Sequence, residues 1–192
     1  MRTAIFGGTF DPIHEAHLTV AREAADIFLL DRVLFIPAGN PPHKEAGASY
    51  EDRYKMVELA CVADPRFIPS RLEEGQQKSY SINTIERVKA QPDAGRVYFV
   101  VGSDAFAEIR SWHRWEDVVR EAEFIVVSRP GHTYSIPAGA RVHRLETVAL
   151  PVSSSETRQA LARGESPGEL PPAVARYIHD RGLYIPSSAD GP

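Results

Sequence analysis

The residues best suited to chemistry lie near the start of the chain, in "AIFGGTFDPIHEAHL" (residues 4–18). A short apolar run stops at Gly7 and Gly8, continues through Thr9 and Phe10, and is followed by two histidines three apart, His14 and His17. Glycines carry no Cβ, so another molecule can approach their backbone closely. A helix after them would present unpaired N–H groups and the positive end of its dipole. Together these make an anion site. The plainer reading is a tight strand-to-helix turn without a ligand. The stretch is neither a G-x-G-x-x-G fingerprint nor a P-loop, because no G-K-[ST] follows. In the first turn of a helix, the spacing puts both histidines on one face. They read as capping or core residues, as metal ligands that lack a convincing third and fourth partner, or as donors to phosphate oxygens. A hydrogen bond to a charged group contributes roughly 1.5–3 kcal/mol.

A second candidate is "LPVSSSETRQAL" (150–161). Ser153 and Glu156 form a capping-box pattern at a helix start. Ser154, Ser155 and Arg158 would add hydroxyls and a guanidinium fork to that terminus, a second cradle for phosphate. "NPPHK" (40–44) sets His43 and Lys44 on a proline-shaped loop, where a solvated cation is the plain alternative. "GSD" (102–104) ends a strand, and Asp104 reads as a helix cap, a ribose acceptor or a partner of a hydrated cation. Trp112 and Trp115 read as sharing a helical segment, one stacking on a flat ring and the other in the core. The lone cysteine, Cys61, falls in an apolar helical pattern and reads as a small core residue.

These residues need a scaffold that brings strand ends together. Strands are expected at 3–6, 32–37, 66–70, 96–102 and 123–128, with helices following Leu18, Tyr50, Ile82 and Ser153. "RVYFVVG" (96–102) is continuous enough to be buried on both faces. The alternation implies an α/β fold: one Rossmann-like, doubly wound parallel sheet with helices on both faces and a small helical C-terminal segment. Ligands of such sheets bind beyond the carboxyl ends of the strands. The candidates fall there: Gly7–Phe10, the stretch 37–44, Gly102–Asp104, and the stretch 128–131.

The chain has 192 residues and a formal net charge of −4, with 43% hydrophobic and 25% charged residues. That suits one globular domain that folds without disulfide or metal staples. The charge argues against nucleic acid as a partner. No apolar run approaches a membrane span, and no signal peptide is evident. A cytoplasmic setting fits. A homo-oligomer is compatible with the composition.

Taken in order, "GGTFDPIHEAHL", "IPAGNPPHK", "KSYSINTIE", "VGSDAFAEIRSWHRWEDV", "VVSRPG", "VSSSETR" and "LPPAVARYIHDRGLY" resemble the bacterial nicotinate-nucleotide adenylyltransferase family from residue 1 to about 185. The first and sixth are shared with a wider nucleotidyltransferase superfamily. The resemblance implies transfer of the adenylyl group of ATP to nicotinate mononucleotide with Mg²⁺, giving deamido-NAD and pyrophosphate, a step of NAD biosynthesis. It implies His14, His17 and Arg158 as catalytic. It implies ATP contacts from Gly7, Gly8, Thr9, Phe10, His17, Gly102, Asp104, Ser153, Ser154, Ser155 and Arg158. Asn40, His43, Lys44, Thr84, Trp112 and Arg129 fall on the mononucleotide side, with Trp112 stacking on the pyridine and Thr84 near its carboxylate. No protein metal site is implied. Ala16, Asn83, Ser155 and Thr157 stand where the family usually has glycine, aspartate, threonine and isoleucine. One nucleotidyltransferase domain is expected over 1–185, with 186–192 a disordered tail.

Overall fold

The computed structural model describes residues 1–40, 47–76, 78–147 and 153–186. Its centre is a six-stranded, wholly parallel sheet. The strands are β1 (Arg2–Gly8), β2 (Arg32–Pro37), β3 (Phe67–Pro69), β4 (Arg96–Gly102), β5 (Glu123–Ser128) and β6 (Arg141–Glu146). The helices are α1 (Glu15–Ile27), α2 (Tyr50–Cys61), α3 (Ser81–Lys89), α4 (Ser103–Ala107), α5 (Trp115–Glu121), α6 (Ser154–Ala162) and α7 (Pro172–Arg181). A single 3₁₀ turn, Ile109–Ser111, follows α4.

The strand order is β3-β2-β1-β4-β5-β6. After β3 the chain returns to the middle and builds outward the other way. The switch falls between β1 and β4, where Phe6 lies opposite Val100. Successive residues of each strand face opposite sides, and both sides are covered. Ala4, Val33, Phe35, Val100 and Ile125 pack with Leu18, Ala21, Met56, Val57, Val174 and Ile178 from α1, α2 and α7. Ile5, Leu34, Phe99, Phe124 and Val126 pack with Ile82, Ile85, Phe106, Val118 and Val119 from α3, α4 and α5. That is why the central strands read as continuous apolar runs rather than alternating ones. Cys61 is buried, and desolvation pushes its thiol up to about 12.

Four details differ from expectation. The glycine pair is not beyond β1 but forms its last two residues, with Gly7 opposite Ile36 and Gly8 opposite Pro37. Strand β3 covers Phe67–Pro69, shorter than the expected 66–70. Strand β6 was not anticipated: "RVHRLE" is largely polar, and only Leu145 is buried in it. Charged side chains are a common guard on an exposed edge strand, and they hide the alternation. Trp112 and Trp115 do not share a helix. Trp112 is extended (φ −72°, ψ 146°), and Arg114 sits in the left-handed region (φ 53°), so α5 begins afresh at Trp115. The expected tail is represented by Pro186 alone, the rest lying outside the described residues.

Candidate active site

The carboxyl ends of β1 and β4 open onto two adjoining hollows. One, of about 300 Å³, is walled by Phe6, Val20, Val100, Val101 and Val127, with His14, Ala16, His17, Gly102, Ser153 and Ser154 around it. The other, of about 260 Å³, is lined by Thr9, Phe10, Asp11, His17, Ser153, Ser154, Ser155 and Arg158. His17, Ser153 and Ser154 border both. The first has the apolar walls that accept a flat ring; the second gathers hydroxyls and a guanidinium, which suit phosphate.

The glycines do different work. A Cβ built on Gly7 meets nothing within 4 Å, so that face is open to a ligand. A Cβ on Gly8 would lie 3.1 Å from the Phe10 ring. Phe10 has a left-handed backbone (φ 49°) and is only 2% exposed. Its ring packs edge-on to Phe6 and His17, at centroid distances of 5.8 and 5.1 Å. A side chain at Gly8 would therefore displace the ring that seats His17.

His14 is the N-cap of α1 and His17 its third residue. Their rings stack at 3.8 Å. The His14 backbone N–H donates to His17 Nδ1 at 3.2 Å. With Nδ1 accepting, a neutral His17 carries its proton on Nε2. The His17 N–H turns to the His14 carbonyl at 3.0 Å, and the buried His14 Nδ1 keeps no hydrogen-bond partner. Burial lowers His14 to about 4, opposed by the Glu169 carboxylate. Burial, with His14 alongside, also holds His17 well below the usual imidazole value. The site thus presents two neutral imidazoles at pH 7.

Helix α6 enters from the opposite side. The Ser153 Oγ accepts the Glu156 N–H at 3.2 Å, the expected cap. The Ser154 hydroxyl donates to the Pro12 carbonyl at 3.0 Å, and Arg158 Nη1 donates to the Asp11 carbonyl at 2.7 Å. These bonds fix α6 against the loop that leads into α1. The Ala16 methyl, 4% exposed, borders the larger hollow. Ser155 keeps a hydroxyl on the polar hollow.

The mononucleotide-side candidates are more scattered. Thr84 is 1% exposed, and its hydroxyl donates at 2.5 Å to Glu73, itself 7% exposed. That hydroxyl is committed to an internal carboxylate. Trp112 is half-buried, edge-on to Phe99 at 5.9 Å. Asn40 and Arg129 are exposed, just past β2 and β5. His43 and Lys44 lie outside the described residues. Asp104, in the first turn of α4, is fully exposed, with its carboxylate 3.8 Å from His132 Nε2.

Three supports escape a reading of the sequence. Arg53 is 2% exposed and donates to the Thr9 carbonyl at 2.8 Å and the Ala38 carbonyl at 2.9 Å, tying the end of β1 to the end of β2. Asp11 and Tyr184 meet at 2.6 Å across 173 positions of chain. No local spacing signals such partners. Among the described residues, no three His, Cys, Asp or Glu side chains converge on a point where a metal ion could sit. None of the described helices is long and apolar enough to cross a membrane.

Comparison with known proteins follows the same outline. Residues 5–160 match the family model described as cytidylyltransferase-like. A curated protein of Solibacter usitatus, named "Probable nicotinate-nucleotide adenylyltransferase", is 60% identical over 188 residues, covering 96% of this chain and 100% of that one. A protein of the same name from Acidothermus cellulolyticus is 39% identical, with 95% and 94% covered. The structure of Plasmodium falciparum nicotinic acid mononucleotide adenylyltransferase complexed with NaAD superposes with a TM-score of 0.79 at 21% identity, covering 95% of this chain and 97% of that one, which establishes the common fold.

Proposed function

The chain belongs to the nicotinate-nucleotide adenylyltransferase family, and from that premise we propose that it transfers the adenylyl group of ATP to nicotinate mononucleotide by direct in-line displacement. The products are deamido-NAD and pyrophosphate. One observation carries the reading. His17 with its Nε2 proton, the N-terminal serines of α6 and Arg158 line one polar hollow beyond the end of β1.

The nucleophile is the phosphate of the mononucleotide. Its second pKa is about 6, so near pH 7 it is largely a dianion and needs no general base. The oxygen attacks the α-phosphorus of ATP, and the bond to the bridging oxygen of pyrophosphate breaks. The protein's part is to align two anions and stabilise the charge that develops. His17 Nε2–H, Ser153–Ser155 and Arg158 donate to the triphosphate, and His14 backs His17 through the stacked ring. Asp104 stands exposed at the end of β4, where a ribose or a hydrated cation would come. Magnesium arrives with ATP as its counter-ion. It would keep several waters and take few protein ligands, and it would neutralise charge on the triphosphate.

The pyridine stacks on Trp112, and its carboxylate meets the start of α3 rather than the Thr84 hydroxyl. Asn40, His43, Lys44 and Arg129 complete that side. The catalytic unit is one domain over 1–185, acting on small molecules in the cytoplasm. The deciding experiment is pyrophosphate release with ATP and Mg²⁺, comparing nicotinate mononucleotide, its amide and phosphopantetheine. Preference for the acid supports the reading. Release with another acceptor keeps the phosphate chemistry but overturns the pyridine site. ATP binding without release to any acceptor makes the protein a nucleotide sensor.

A further inference from the structure

We propose that Glu169 is a positioning residue of the phosphate site, setting the distance between the two helix starts that face the triphosphate. The proposal rests on the reaction proposed above. Glu169 lies between α6 and α7 and belongs to neither helix. Its carbonyl accepts the Glu15 N–H at 2.8 Å. Glu15 is the first residue of α1, next to the N-cap His14, and a first-turn N–H has no partner within its own helix. The Glu169 Oε1 accepts the Thr157 hydroxyl at 3.1 Å. Thr157 is 0% exposed and lies in the first turn of α6. One residue thus bonds the start of α1 by its main chain and the start of α6 by its side chain. The same carboxylate acts on His14, favouring its proton against the burial that lowers that imidazole. The next residue, Leu170, is packed in the core with Val174 and Ile178, which anchors the segment.

His17 from α1, and Ser153 and Ser154 from the start of α6, border both hollows. A triphosphate between them is met from two helices at once, and its hydrogen bonds hold only over about 2.7–3.2 Å. Misplacing the reacting atoms by about 1 Å costs on the order of a hundredfold in rate. Two other bonds join α6 to the loop before α1, from Ser154 to the Pro12 carbonyl and from Arg158 to the Asp11 carbonyl. Both donors are ones proposed for phosphate. Ser154 has a single hydroxyl proton, so giving it to a phosphate releases the Pro12 carbonyl. The Glu169 bonds use no group that substrate takes, so they hold the spacing with the site full.

The test compares Glu169→Ala and Glu169→Gln in the full chain, with Mg²⁺ and below the thermal midpoint of each variant. Alanine keeps the main-chain bond to Glu15 and removes only the tie to α6. Thr157 keeps a partner, since its hydroxyl also lies 3.1 Å from the Ser153 carbonyl. Glutamine keeps an acceptor oxygen for Thr157 without the charge. Glu169→Ala should lower kcat about tenfold and weaken the Kd for a non-hydrolysable ATP analogue about tenfold. The KM for the mononucleotide should stay within about twofold of wild type. Glu169→Gln should recover both kcat and Kd to within about threefold of wild type. Unchanged kcat in Glu169→Ala overturns the proposal. A Glu169→Gln protein as slow as Glu169→Ala also overturns it, because the effect would then belong to charge and not to spacing. An equal rise in the mononucleotide KM would mean general loosening and overturns it too. Should Glu169→Ala fail to fold, Thr157→Val is judged by the same readings with Thr157→Ser as its rescue; if neither folds, the contact is a folding element and the proposal falls. Wild-type protein that releases no pyrophosphate refutes the reaction instead. The Kd for the ATP analogue then decides the positioning role alone, and an unchanged value in Glu169→Ala overturns it.

Discussion

Acid should destabilise the empty protein through its histidine pair, and the structure sets the size of the effect. His14 is 3% exposed, and its folded-state value lies near 4 against an ordinary 6.5. A histidine depressed in this way takes up its proton more readily in the unfolded chain. Its neutral form therefore favours folding above about pH 6.5, and that stability drains away as pH falls toward 4. Moving an imidazole that far corresponds to about 3 kcal/mol in full, of which about 2 kcal/mol is lost between pH 8 and pH 5. His17 is displaced in the same direction and adds to the trend. The Glu169 carboxylate works the other way on His14. The measurement is urea unfolding of wild type and His14→Gln at pH 8 and pH 5. The variant should gain about 2 kcal/mol on wild type over that interval, because glutamine does not titrate. A difference between the two proteins that stays constant with pH would show that His14 is not held neutral by burial, and the assignment of neutral imidazoles would fail. A saturating ATP analogue should flatten the wild-type profile, since an anion at the site favours the protonated rings.

Three other substitutions separate roles. His17→Ala removes the Nε2 donor and should cut kcat on the order of a hundredfold, with unfolding free energy changed by about 1 kcal/mol; near-normal turnover would exclude the proposed phosphate contact. Trp112→Ala should raise the KM for the mononucleotide roughly tenfold, with the KM for ATP steady; steady-state kinetics showing no change would put the pyridine elsewhere. Thr84→Val leaves the buried Glu73 short of its 2.5 Å donor and should cost about 1–3 kcal/mol in denaturant unfolding, restored largely by Thr84→Ser. If valine were neutral, the hydroxyl would be free to serve a ligand after all.

Local patterns carried the frame of the molecule. Apolar runs at 32–37, 96–102 and 123–128 fixed three central strands, because a strand covered on both faces has no polar side to show. The capping pattern at Ser153 and the glycine pair at the end of β1 were readable for the same reason: each depends on neighbours within four residues. Strand β6 was hidden because its place is held by pairing with β5, Ile125 opposite His143, and not by its own composition.

The site itself divides along that line. Sequence alone determined which donors are available and which strand ends they follow, since backbone periodicity is a local property. Tertiary structure alone decided that the two histidines stack and stay neutral, because desolvation depends on everything packed around them. It also decided that Thr84 spends its hydroxyl on Glu73, and that Asp11 gathers Gly47, Ala48 and Tyr184. A buried polar group must find its partners wherever the fold brings them, and no spacing along the chain records where that will be.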